Sequence, residues 1–192
     1  MKKLLKLLLS LLLLFGLPSG VLAFADAPVA VVILDESGGG MDKDLPDTWI
    51  EQVRRNFSFP DYKLIEQTDL LQILRGRLPQ PDKKSPYYQK SHLQYIAELT
   101  QAELVIVIRV GRMREEVFHS YSRGLQGETF VRVELAIDVT SYKKSVDRYL
   151  SKKIRYFNTD SISVLPSVKK LAVYEVEDAI YYFREQYGLK GN

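Results

Sequence analysis

Apolar and polar positions fall into segments of different period along this chain. Residues 7–15 are almost unbroken leucine, preceded by Lys2, Lys3 and Lys6 and followed by the helix breakers Pro18, Ser19 and Gly20. Residues 29–34 and 104–108 are continuous aliphatic runs, as expected for strands buried on both faces and lying side by side at a sheet centre. Later the period becomes two: Val131, Val133, Leu135, Ile137 and Val139 alternate with Arg132, Glu134, Ala136, Asp138 and Thr140. That alternation predicts a half-exposed antiparallel strand. A turn over 141–145 and a returning strand over 146–157 follow, with Leu150, Ile154 and Tyr156 on one face. Residues 113–121 extend the preceding strand toward a loop with Gly124 and Gly127.

Helical spacing fills the intervals. Ile50, Val53 and Phe57 repeat after an N-cap at Asp47, and Leu70, Leu71, Leu74 and Leu78 repeat after one at Thr68. Between them, residues 62–66 read as a short strand. Ser91 and Gln94 suggest a capping box for a helix bearing Leu93, Ile96, Ala97 and Thr100. The last stripe is the clearest, with Val168, Ala172, Val176, Ala179, Ile180, Phe183 and Tyr187 on one face and Gly188 to end it. The predicted order is βαβααβββα. It describes an α/β (α+β) sandwich, two or three layers deep, with helices packed on a mixed sheet of about five strands.

The leucine run changes how charge is read. It has the anatomy of a secretory signal peptide over residues 1–25, with Ala23 and Ala25 as the small residues before cleavage. A retained anchor is the alternative, although the run is short of the roughly 20 residues that span a bilayer. The chain carries 27 basic and 24 acidic residues, and three of the lysines lie in that leader. Residues 26–192, read as one domain, are therefore neutral, which argues against nucleic acid as a partner. There is no cysteine. Disulfides, thiolate metal sites, a cysteine nucleophile and lipidation at the cleavage point are excluded. The expected location is extracytoplasmic, periplasmic or secreted, with no membrane span beyond the leader.

Candidate chemistry is sparse. The two histidines, His92 and His119, are far apart in sequence and lack ligand or triad spacing. Ser37, Gly38, Gly39 and Gly40 follow a buried strand and precede a helix, the place where open α/β sheets bind ligands. They lack the lysine of a P-loop and the spacing of a dinucleotide fingerprint, so a plain connection competes with an anion or small-ligand site. Asp35 and Glu36 at the strand end, with His119, are the alternative catalytic set of a small hydrolase. Asp42 and Asp44 make a hard-cation site conceivable. Tyr87 and Tyr88 lie in a loop with Pro79, Pro81 and Pro86, where their rings either present a binding surface or fold back on the core. No metal or cofactor is expected.

The segment order resembles the sandwich domain of the curli secretion protein family (CsgG-like) and the penicillin-binding-protein activator lipoproteins (LpoB-like), and the N-terminal domain of TolB is similar. The likeness rests on the opening strand with its glycine loop and on residues 61–77, DYKLIEQTDLLQILRGR. It continues through residues 92–110, HLQYIAELTQAELVIVIRV, and residues 131–139, VRVELAIDV. It implies a non-catalytic assembly or accessory role in the cell envelope, through an unidentified protein partner or envelope polymer. This chain departs from the resemblance in lacking a lipid-bearing cysteine, in reading Ala102-Glu103 where a glycine is usual, and in lacking membrane hairpins.

Overall fold

A computed structural model describes residues 26–58, 61–79, 88–120 and 127–189. Its elements follow the predicted order: β1 (Ala27–Asp35), α1 (Leu45–Asn56), β2 (Tyr62–Leu64), α2 (Gln67–Leu74), α3 (Lys90–Thr100), β3 (Leu104–Ser120), β4 (Glu128–Lys143), β5 (Arg148–Ser161) and α4 (Val168–Gln186). The strands form one five-stranded sheet in the order β2-β1-β3-β4-β5. β1 runs parallel to β2 and β3, whereas β3, β4 and β5 are antiparallel neighbours. The sheet is mixed, with the two aliphatic runs paired from Val29 beside Leu104 to Asp35 beside Val110.

Both sheet faces are covered near that centre, giving three layers. Alternation along β1 and β3 sends Val29, Val31, Leu104, Ile106 and Ile108 to one face, where they meet Trp49, Val53 and Phe57 of α1 and Ala172, Val176 and Phe183 of α4. Ala30, Val32, Val105 and Val107 point the other way, onto Leu70 and Leu74 of α2 and Leu93 and Ile96 of α3. Gln52 of α1 donates to the Val173 carbonyl at 3.2 Å and ties the two first-face helices together.

The second layer ends early. β3 and β4 stay paired as far as Ser120 and Glu128. Beyond the Val107–Thr140–Ser151 row, the residues aligned across β3, β4 and β5 on the α2/α3 side become mostly polar, Ala136 and Phe157 excepted. They are Arg109–Asp138–Lys153, Arg112–Ala136–Arg155, Arg114–Glu134–Phe157 and Glu116–Arg132–Thr159. A β-bulge between Val110 and Arg112 keeps the alternation in phase, so Met113 returns to the apolar face.

Three predicted caps move. α1 begins two residues before Asp47, with Asp44 as N-cap and Pro46 in the first turn, where a missing N–H costs nothing. α2 has Glu66 at its N-cap position instead of Thr68. The capping box of α3 is made by Gln89 and His92, whose Nδ1 accepts the Gln89 amide at 3.1 Å. The strand predicted over 62–66 stops at Leu64, and β4 runs into the predicted turn as far as Lys143 before a short 3₁₀ turn at Lys144–Val146.

Candidate functional site

Order β2-β1-β3 puts a topological switch point at the carboxyl end of β1, and the structure fills it. Ser37 closes the loop on itself: its amide and hydroxyl donate to Asp35 Oδ1 at 2.9 and 2.5 Å. Its Oγ also accepts the amides of Gly40 and Met41 at 3.0 and 3.1 Å. Those two N–H groups are spent inside the turn, where an anion would need them pointing outward. Gly38 and Gly39 have positive φ, 75° and 96°, which glycine adopts without strain. Gly40 is required for a different reason, since a Cβ there would overlap the Met113 carbonyl oxygen of β3. Asp42 and Asp44 share a cation already in the chain: Lys169 Nζ lies 2.9 Å from Asp42 and 3.4 Å from Asp44.

Glu36 leaves the loop for the open sheet face. Arg109 Nη2 donates to it at 2.5 Å, while Nη1 donates to Asp138 at 3.2 Å. Arg155 supplies a second guanidinium to Asp138 at 2.6 Å. Asp138 is buried, so the two cations offset its desolvation. The hydrogen bond and charge of Glu36 hold the Arg109 pKa above its ordinary value, with Asp138 adding to the effect and burial opposing it. Tyr88 belongs to the same neighbourhood. It is buried in the second core, and burial, reinforced by Glu36, pushes its phenol pKa up. Its carbonyl accepts the Tyr149 hydroxyl at 2.8 Å. Tyr88 thus folds back on the core, and Tyr87 lies outside the described residues.

His119 does not join this cluster. Its Nδ1 is 2.9 Å from Thr129 Oγ1 at the far end of the arm. Asp35 is paired with Val110, about 27 Å back along β3 at the rise of a strand. Asp35, Glu36 and His119 therefore share no pocket, and Glu36 is committed to Arg109. Among the described residues, no group of three or more His, Asp or Glu side chains is placed to hold a metal.

A feature the sequence reading missed lies on the other edge of β1. Because β2 pairs only as far as Val29, the strand beyond it borders a groove of about 660 Å³. Pro46, Asp47 and Ile50 of α1, with Met41, form one wall, and Leu70, Leu71, Leu74 and Leu78 form the other. Leu71 is 68 % exposed, and with the buried Leu70 and Leu74 it forms part of a contiguous leucine wall. No signal in sequence marked the groove, because Leu70, Leu71, Leu74 and Leu78 fall within the roughly 100° stripe of an ordinary core-facing helix.

Fold and site together define a three-layer α+β sandwich with an apolar cleft at the sheet edge and a salt-bridged strand arm. No protein-family model matches the chain. No curated protein matches its sequence. Solved structures of similar shape include the LpoB C-terminal domain from Salmonella enterica, at 12% identity and TM-score 0.40, covering 73% of this chain and 87% of that one. A lipoprotein of Neisseria meningitidis aligns at 13% identity and TM-score 0.38, over 81% and 99% of the two chains. A hypothetical protein of Chlamydia trachomatis aligns at 12% and 0.42, over 85% and 98%. At such scores and identities these likenesses define neither a family nor a function. No helix among the described residues is long and apolar enough to cross a membrane.

Proposed function

We propose that this chain is an exported, non-catalytic accessory protein of the cell envelope that acts by binding a partner protein. The observation that carries this reading is the groove between α1 and α2, whose leucine wall keeps Leu71 in solvent. Contiguous apolar side chains along a surface groove mark sites of interaction with a ligand or partner. The separation of His119 from Asp35 and Glu36, and the commitment of Glu36 to Arg109, favour binding over the hydrolase reading. Export is read from residues 1–25, with residues 26–192 as the delivered unit.

A photo-crosslinking residue placed at Leu71 in the producing cell tests the binding role, with Tyr174 on the outer face of α4 as control. The expected result is a discrete protein adduct at Leu71 and none at Tyr174, in envelope or secreted fractions. Adducts at neither position overturn the binding role. The amino terminus of the recovered chain tests export, with Asp26 as the first residue expected.

A further inference from the structure

We infer that the edge of β1 left open among the described residues takes up an extended peptide segment as an added strand, with large aliphatic side chains at every second position. The inference rests on the partner-binding reading and names the chemistry of the partner. β2 pairs with β1 only from Ala27 to Val29. The hydrogen bonds around β1 show which edge each residue faces. On the β2 side, the Ala27 amide donates to Asp61 and the Val29 carbonyl accepts from Ile65. On the β3 side, the Pro28 carbonyl accepts from Glu103 and the Glu36 amide donates to Val110. Successive residues of a strand send their backbone groups to opposite edges, so Val31, Ile33 and Asp35 present theirs where β2 has ended. Gln67 answers one of these groups, its Nε2 donating to the Val31 carbonyl at 3.3 Å. The backbone groups of Ile33 and the amide of Asp35 face the groove.

An open ladder flanked by apolar walls selects its occupant. Donors and acceptors alternate along such an edge at the spacing of another extended backbone. A helix satisfies its own N–H and C=O groups and offers few in return. Strand addition at exposed sheet edges is an established recognition mode, with the backbone supplying affinity and alternate side chains supplying selectivity. Here one set of side chains would meet Leu70, Leu71, Leu74 and Leu78, and the other would meet Pro46, Asp47 and Ile50. The first wall takes large aliphatic groups, and the second tolerates smaller or polar ones. Residues 31–35 offer about 15 Å of edge, enough for four or five residues of added strand.

The test uses the chain as the producing cell delivers it. The probe is a fluorescein-labelled octapeptide alternating leucine and threonine. Two isomers of it are also made, one N-methylated at every leucine and the other at every threonine. Only one set of amides in an added strand faces β1. One isomer should therefore bind like the parent, and the other at least tenfold more weakly by fluorescence anisotropy. Leu71→Glu, at an exposed position that leaves the core intact, should weaken the parent tenfold, and Tyr174→Glu should not. The Ile33 and Asp35 amides should exchange hydrogen rapidly in the free chain and at least tenfold more slowly with peptide. Equal binding by both isomers, or no binding, overturns strand addition. Protection of both amides without peptide also overturns it: the edge is then covered by this chain itself, or by a second copy if protection rises with concentration. A Leu71 adduct in cells combined with either result rejects strand addition and leaves partner binding standing.

Discussion

Asp138 is 5 % exposed, and it holds two arginines in place. Arg109 is itself largely shielded and contacts Glu36 and Asp138, whereas Arg155 reaches Asp138 from the solvent side. Removing the buried carboxylate therefore costs more than removing the outer cation. Asp138→Ala should lower unfolding free energy by about 2–4 kcal/mol, because it leaves the shielded Arg109 with Glu36 alone and takes from Arg155 its carboxylate partner. Arg155→Ala should cost less, about 1–2 kcal/mol, because Arg109 still pairs with Asp138. Urea denaturation of the two variants checks the ordering. Tyr187 offers a different reading of burial. Burial raises its phenol pKa from about 10 to about 12, although the hydroxyl also meets Ser141 at 2.9 Å. A raised pKa means that the folded chain keeps the proton longer than the unfolded one. Its contribution is thus complete below pH 10 and is lost as pH rises toward 12. The full shift would equal about 2.7 kcal/mol, and partial solvation of the ring reduces this to about 1 kcal/mol. Tyr187→Phe should remove that part of the alkaline slope in urea midpoints taken from pH 9 to 12.

Element cores were legible and element ends were not. Continuous β-branched runs at 29–34 and 104–108 can be buried only with both faces covered, so their place at the sheet centre follows from composition. Caps depend on a few hydrogen bonds, and several side chains compete for each. Thus Asp47, Thr68 and Ser91 looked suitable, although α1 and α2 start after Asp44 and Glu66 with no side-chain cap, and of the three only α3 is capped by a side chain, that of Gln89. The length of β2 escaped for a related reason. Nothing in residues 62–66 forbids a longer strand, but Gln67 takes the Val31 carbonyl that a longer β2 would have used. The groove is a consequence of those missing residues. At the hairpin end, Asp147 accepts from Lys90, Gln94 and Tyr142, linking the β4–β5 turn to α3. Its pKa is lowered, first by the Lys90 hydrogen bond and then by Tyr142. A depressed carboxylate pKa stabilises the fold above the ordinary value of 3.8, and that contribution is lost as pH falls below it. Asp147→Asn should therefore show a shallower loss of stability between pH 5 and 2.5, followed by thermal unfolding.

Across the whole molecule, cover decides what can open. Residues 104–107 lie between two layers of helices, whereas the far ends of β3 and β4 lack the α2/α3 layer. Hydrogen exchange of the free chain should therefore be slowest at Ile106 and Ile108 and faster by at least 100-fold near Val117 and Val131. Uniform protection along β3 would contradict this account of the layers. The Glu36–Arg109–Asp138–Arg155 network had no counterpart in sequence, because its members come from the loop after β1, β3, β4 and β5, and spacing within any one segment says nothing of it. The loop after β1 was visible as a run of glycines, yet its three glycines differ. Gly40 is locked against β3, and Ser37 holds the other end, while Gly38 and Gly39 have no neighbours around the position of a side chain. That combination makes the Gly38–Gly39 bond a natural insertion point. A tag or environment-sensitive dye spliced there would ride on a rigid base, and Asp35 at the foot of the loop also lines the groove. Occupancy of the cleft could then be watched optically in living cells, without altering any residue of its walls.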